Sequence, residues 1–508
     1  MTALERTRTV AVVGTGTMGQ GIAQVALLAG HRVLLHDAVP GFAEKAAVGV
    51  SARLDRLAEK GRLDAAEHEA ALSRLIAAER VEDLADAGLV VEAVVEDLAA
   101  KQRLFADLEA VVADDCLLAT NTSSLSVTAV AGALRLPGRL VGLHFFNPAP
   151  LLPLVEVVAG AASHPDAVTA AYDTAAAWGK SPVRCADTPG FVVNRIARPY
   201  YAEALRVYEE RAADPATIDA VLRESGGFAM GPFALMDLIG QDVNEAVTRS
   251  VWEGFFHDPK FTPSLAQRRL VESGRLGRKS GHGWYPYDDG RAAGAAGGAD
   301  AAAPHTAEPA DAPRYIVVGG DLGPAQALVD LAVEAGIEVR PQEALRSMNR
   351  IELPDGTALW LADGTLGEGV QFDLALDYRA ATRIAIAPSR GVTDAGLAHA
   401  TGFFQALGKK VSVVREVPGL IVGRTVAMLV DLACDAVARD VASAADIDTA
   451  MRLGVNYPLG PLEWGDRISA LWVREFLESM HEWYPTGRYA PSLALWRRGD
   501  VDEDVVSS

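Results

Sequence analysis

The stretch "HFFNPAPLLPLVEVV" runs from His144 to Val158 and carries one histidine and one glutamate in an otherwise apolar setting. His144 ends a strand-like run, "RLVGLHF", and Glu156 sits inside "LLPLVEVV". A neutral imidazole near its ordinary pKa can take a hydroxyl proton as hydride leaves the same carbon. A carboxylate on a neighbouring strand can bond the far ring nitrogen, fix the tautomer and stabilise the imidazolium. The alternative is a core histidine on a backbone partner and a surface glutamate in an odd place. The other nine histidines lie in polar or turn-like contexts with no such companion. Three cysteines (Cys116, Cys185 and Cys434) lie far apart in sequence, so neither a disulfide framework nor a metal site is expected. They read as buried thiols of a reducing compartment.

A second constellation opens the chain. Gly14, Gly16 and Gly19, with Thr17 and Met18 between the last two, form G-x-G-x-x-G after the strand-like "TVAVVG" and before a helical run. Glycine at these points permits the tight turn, the backbone approach to a pyrophosphate and close helix–strand packing, and the helix N-terminus faces the anion. Alone the pattern is weak, but Asp37 ends the next strand at the spacing a ribose-binding acid requires. A carboxylate there accepts from both ribose hydroxyls and repels a 2′-phosphate, which favours NAD over NADP. The second half has only "GGDLGPA", which fits the pattern in neither register, so no dinucleotide is expected there.

These residues need a scaffold. Strand-like and helix-like runs alternate through residues 1–186, with helical segments over roughly 41–78 and 98–113. This predicts a doubly wound parallel α/β sheet of Rossmann type as the NAD-binding domain. An all-α substrate or dimerisation domain follows over 187–287, and an Ala/Gly/Pro-rich linker over 288–313. The second half echoes the first. "PGFVVNR" (189–195) matches "PGLIVGR" (418–424), "TIDAV" (217–221) faces "DIDTA" (446–450), and "GPFALMD" (231–237) matches "GPLEWGD" (460–466). One offset of 229 residues relates all three pairs. We therefore expect a degenerate Rossmann-like domain over 314–411 and a duplicated helical domain over 412–508.

The bulk composition narrows the class of partner. The 508 residues carry a formal charge of −20, and half are hydrophobic. This argues against nucleic acid or an anionic membrane surface as main partner, while helix N-termini and single cations can still hold a phosphate. The N-terminus shows no apolar secretory segment and no run reaches membrane-spanning length, so a cytoplasmic enzyme is expected.

The motifs "GTGTMGQGIAQ", "VVEAVVED", "NTSSLSV", "GLHFFNPAP", "LVEVV", "DTPGFVVNR", "MGPFALMD" and "GRLGRKSGHGWY" occur in that order. Together they resemble the L-3-hydroxyacyl-CoA dehydrogenases nearly continuously over residues 7–287. The duplicated second half resembles the family's long bacterial form, which acts on 3-hydroxyadipyl-CoA or 3-hydroxybutyryl-CoA in aromatic-acid (phenylacetate-type) or fatty-acid catabolism. The resemblance implies NAD-dependent oxidation of an acyl-CoA substrate, with His144 as base and Glu156 as its partner. It implies that Ser123 and Asn194 bond the reacting oxygen or the thioester carbonyl, and that Asn147 helps hold the site. It places Glu96, Lys101 and Asn121 on the nicotinamide-ribose side, and it sends the CoA nucleotide to the helical stretch bearing Arg53, Lys60 and Arg62. For those three, a solvated helix face is the competing reading. Gly423 stands where Asn194 has its counterpart, so the second half is expected to be non-catalytic. The chain is expected to be a monomer with an internal pseudo-dimer, or a homodimer. Two rival readings are a non-catalytic NAD-binding scaffold or sensor, and a short-chain β-hydroxyacid dehydrogenase. The second lacks "HFFNP" and "GFVVNR".

Overall fold

A computed structural model of the chain describes residues 3–288, 291–292, 303–341 and 349–506. It divides into two compact units, one of Met1–Arg195 with Arg439–Val455 and one of Ile196–Ala438 with Asn456–Ser508.

The first unit is built on eight strands: β1 (Thr9–Val13), β2 (Val33–His36), β3 (Leu75–Ala78), β4 (Ala87–Glu92), β5 (Leu117–Thr120), β6 (Leu140–Phe145), β7 (Leu154–Ala159) and β8 (Ser181–Ala186). Their order is β3-β2-β1-β4-β5-β6-β7-β8. Every neighbouring pair is parallel except β6–β7. β1, β4 and β6 are buried along their whole length. They read as continuous apolar runs because helices cover both faces. Those helices are α1 (Thr17–Leu28), α2 (Phe42–Glu59), α3 (Ala65–Ser73), α4 (Leu98–Val111), α5 (Val127–Ala131) and α6 (Pro165–Ala177), with the short α7 (Val193–Ile196) at the exit. Leu75–Ala78 is a strand and not the helix expected there. Its four residues are too few to reveal a period, and pairing with β2 decides them.

The second unit holds a seven-stranded sheet: β11 (Tyr315–Gly319), β12 (Glu338–Pro341), β13 (Arg350–Glu352), β14 (Ala358–Leu361), β15 (Val370–Phe372), β16 (Arg383–Pro388) and β17 (Lys410–Val413). A two-stranded ribbon, β9 (Tyr287–Asp288) with β10 (Arg291–Ala292), precedes it. The order is β12-β11-β13-β14-β15-β16-β17. The sheet is mixed. Parallel crossovers remain at its two ends, β11–β12 and β16–β17, and antiparallel pairs lie between. Its helices are α13 (Ala327–Glu334) and α14 (Asp394–Ala406).

The helical layer of this unit comprises α8 (Arg198–Glu209), α9 (Pro215–Glu224), α10 (Pro232–Ile239), α11 (Gln241–Gly254), α12 (Leu265–Glu272), α15 (Val422–Ala438), α17 (Pro461–Ile468), α18 (Ala470–Trp483) and α19 (Leu493–Val506). The remaining helix, α16 (Ala444–Val455), belongs to the first unit. The bounds of β16, α14, α17 and α18 fall 229 residues after those of β7, α6, α10 and α11.

Of the linker expected over 288–313, residues 289–290 and 293–302 lie outside the described residues. Residues 303–313 are not a free tether. His305 O accepts from Arg383 and Ser412, its Nδ1 accepts from Val413 N, and Ala307 N donates to Val411 O, so the segment lines the β17 edge. The pull of this unpaired strand edge outweighs the flexible composition. Among the described residues no helix is long and apolar enough to cross a membrane.

Candidate active site

Antiparallel pairing of β6 with β7 sets His144 directly opposite Glu156. His144 Nδ1 lies 2.7 Å from Glu156 Oε2, and both side chains are buried. The other carboxylate oxygen accepts the backbone N–H of Val192 at 3.0 Å and of Val193 at 2.9 Å, at the start of α7. A buried carboxylate persists when its lone pairs are filled in this way. With Nδ1 committed to Glu156, Nε2 is the nitrogen left for proton transfer. The rings of Phe146 and Phe191 stand 4.5 and 5.9 Å from the imidazole, centre to centre, and narrow the access of water.

The serine loop is brought to the same end of the sheet. Asn121, just beyond β5, accepts the N–H of Phe145 at 2.8 Å and so ties this loop to the strand that bears His144. Asn194 Nδ2 donates to Ser123 O at 3.4 Å. Asn147 opens the turn from β6 to β7. Glu96 organises the loop from below. Its Oε1 accepts from Thr122 Oγ1, Ser123 N, Ser124 N and Ser124 Oγ. Burial alone would raise its pKa, but Lys101 and these donors hold the carboxyl below its ordinary value. Lys101 is itself buried, 2.5 Å from Glu92 and 3.3 Å from Glu96. The two residues expected on the ribose side thus build the wall that carries Ser123, and Lys101 acts through the carboxylates it neutralises.

At the first turn, Gly14 adopts φ 94°, and a Cβ there would meet Ala93 O at 2.5 Å. At Gly19 a Cβ would lie 1.8 Å from Gly14 O. Both positions therefore demand glycine. Thr17 and Met18 begin α1, and Gly16 gives that helix no side-chain cap, so its first N–H groups are available to an anion. Asp37 Oδ2 accepts from Thr15 N and Oγ1, and Oδ1 from Val39 N. Against the effect of burial, those bonds hold its carboxyl below the ordinary value, so it stays a charged acceptor. The glycine approach, the uncapped helix and this carboxylate together fit NAD.

The three cations expected at the CoA nucleotide are not gathered. Arg53 turns to Gln20 Oε1 at 3.0 Å, while Lys60 and Arg62 are exposed beyond the end of α2. Sequence reasoning missed Glu92, which accepts from Thr120 Oγ1, and Asp187, which accepts from Ser126 Oγ, Val127 N and Thr128 N at the start of α5. For Glu92 the signal was present: like Glu156, it is a lone acid in an apolar run.

In the second unit, the position opposite Ala385 on the β15–β16 pair is Asp373, whose N–H donates to Ala385 O. Ala385 stands 229 residues after Glu156. Asp373 accepts from Ile421, Val422 and Gly423 N–H at the start of α15. The clamp on the helix start is retained, carried now from the histidine's side of the strand pair, while the base is absent. Burial raises this carboxyl to about 6. Phe476 and Met480 lie against Gly419, and Phe476 also against Gly423.

Comparison with known proteins follows the same boundaries. The family description "3-hydroxyacyl-CoA dehydrogenase, NAD binding domain" matches residues 9–188, and its "C-terminal domain" matches 190–287 and 419–503. A "3-hydroxybutyryl-CoA dehydrogenase reduced Rossmann-fold domain" matches 353–418. The chain is 42% identical over 505 residues to 3-hydroxyadipyl-CoA dehydrogenase of Escherichia coli (strain K12), covering 98% of this chain and 99% of that one. It is 38% identical over 284 residues to the human mitochondrial hydroxyacyl-coenzyme A dehydrogenase, covering 55% of this chain and 90% of the relative. Among solved structures, 3-hydroxybutyryl-CoA dehydrogenase from Escherichia coli K12 matches with TM-score 0.88 and 40% identity, over 99% of this chain and all of that one.

Proposed function

The chain belongs to the 3-hydroxyacyl-CoA dehydrogenase family and oxidises 3-hydroxyacyl-CoA with NAD, and on that premise we propose its substrate, the roles of its residues and the use of its second half. The substrate is a (3S)-3-hydroxyacyl-CoA, with 3-hydroxyadipyl-CoA or 3-hydroxybutyryl-CoA as the acyl group, and the product is the 3-oxoacyl-CoA. These acyl groups belong to aromatic-acid or fatty-acid breakdown in the cytoplasm.

His144 Nε2 takes the hydroxyl proton as the C3–H bond gives up its electron pair. NAD, when bound, accepts that pair with the hydrogen as a hydride. Glu156 keeps the Nδ1–H tautomer before the step and stabilises the imidazolium after it. Ser123 and Asn194 are neutral donors that hold the substrate oxygen without neutralising the base. Gly14, Gly16 and the start of α1 receive the pyrophosphate, and Asp37 receives the adenosine ribose. We read the second half as a duplication that has lost its base and kept its helices, paired with the first as an internal pseudo-dimer. The 2.7 Å bond between registered partners His144 and Glu156, with the carboxylate's second oxygen spent on α7, carries the reading.

The test is steady-state kcat/KM for 3-hydroxybutyryl-CoA and 3-hydroxyadipyl-CoA, each with NAD and with NADP. Turnover of at least one, with NAD preferred, is expected, and the ratio of the two thioesters names the acyl group. A protein that binds NADH but turns over neither is instead a scaffold.

A further inference from the structure

The first unit is completed by a helix from the far half of the chain. α16 lies on β7 and β8, and the residues leading into it are clipped to the sheet by Ala186 N donating to Val441 O at 2.8 Å. Near its end, Gly454 backs onto the strands that hold the base. A Cβ built there would lie 2.6 Å from Leu154 Cδ2, 3.2 Å from Val193 Cγ2 and 3.8 Å from Phe146 Cε1. Gly454 does not adopt a positive φ, so proximity and not backbone conformation explains the glycine.

Each of the three residues it abuts is one step from the chemistry. Leu154 shares β7 with Glu156. The Val193 N–H is bonded to Glu156 Oε1, and Asn194 follows it. The Phe146 ring contacts the imidazole of His144. A push at Gly454 therefore reaches the carboxylate through its own hydrogen-bond donor, and the base through the neighbouring ring.

The second unit contains the mirrored arrangement. α9, from the first half, lies on β16, and Ser225, 229 residues before Gly454, donates to Arg383 O. That strand carries Ala385 and supports no base. The two halves exchange equivalent helices, and only one of the two contacts bears on catalysis.

We infer that the non-catalytic half supplies a positioning element to the active site, α16, and that Gly454 is the residue through which it sets the Glu156–His144 pair. The inference rests on His144 being the base.

The test uses the full-length chain. Gly454→Ala is expected to lower kcat about tenfold and Gly454→Val toward about 10²-fold, as small displacements of a reacting group do. The KM for NAD should stay unchanged. Adding Leu154→Val to Gly454→Ala makes room for the new methyl and should return kcat to within about twofold of the parent. Ser225→Ala, on the mirrored contact, should lower Tm and leave kcat unaltered. Gly454→Ala adds a methyl whose closest collision is with the mobile end of a leucine, so it remains readable even where Gly454→Val does not fold. A Gly454→Ala protein with parental kcat, or a loss that Leu154→Val does not restore, overturns the inference. His144→Ala measured in parallel keeps the two ideas apart: its survival as an active enzyme removes the base, whereas silent Gly454 variants beside an inactive His144→Ala remove only α16.

Discussion

Glu156 uses its two oxygens for different purposes, one for a side chain that becomes charged and one for two backbone amides that never do. His144→Ala should therefore lose roughly 10²–10⁴-fold in kcat, with NADH affinity retained, measured by stopped-flow turnover and fluorescence titration. Near-parental turnover would refute its role as base. This pair was legible in the sequence because a charge within an apolar run must find a partner. The supporting acids were less legible. Glu96 and Asp187 lie in polar, loop-like stretches where a carboxylate is ordinary, and only the fold shows the serine-loop hydroxyls and amides converging on them. The CoA cations were over-read: Arg53, Lys60 and Arg62 share a helical stretch in sequence, but Arg53 is drawn to Gln20 and the other two point into solvent.

At the scale of elements, the helical layer of the second unit is held by a buried charge cluster. Glu203 on α8 accepts from Arg424 on α15, and from Arg488 and Tyr489 beyond α18. Burial works against the charged carboxylate, but Arg488 and Arg424 outweigh it and hold its pKa at about 2, against an ordinary 4.5. A carboxyl depressed in the folded state contributes stability above its unfolded pKa and loses it as pH falls through the folded one. The contribution is about 3 kcal/mol above pH 4.5 and disappears toward pH 2. Glu203→Gln should thus lower Tm at neutral pH, leaving two buried guanidiniums uncompensated, and the difference should shrink on titration from pH 5 to pH 2.5. A gap between variant and parent that is constant over this range would exclude the linkage. Asp219, raised by burial to about 7, runs the other way and is relatively favourable in acid. The long helices and the 229-residue offset were readable from period and motif. The strands of 350–372 were not, because runs of three or four residues in a mixed sheet carry no period.

For the whole molecule, sequence order misleads about which residues fold together. Motifs placed the break between domains near residue 187, whereas the compact unit continues to Arg195 and takes in Arg439–Val455. Nothing in the composition of α16 announces which sheet it covers, since its apolar face suits either. Deleting residues 312–508 removes that helix and also the partners of Glu203. We expect an insoluble or newly dimeric fragment, judged by light scattering. A stable, fully active monomer would contradict both the pseudo-dimer and the exchange of helices.

The exchange also fixes a timetable. A ribosome finishes Arg195 well before it reaches Arg439, and at roughly 5–20 residues per second the interval lasts tens of seconds. Throughout it, the β7–β8 surface that α16 will cover is complete in sequence and bare in space, so the catalytic unit closes only as the last part of the chain emerges.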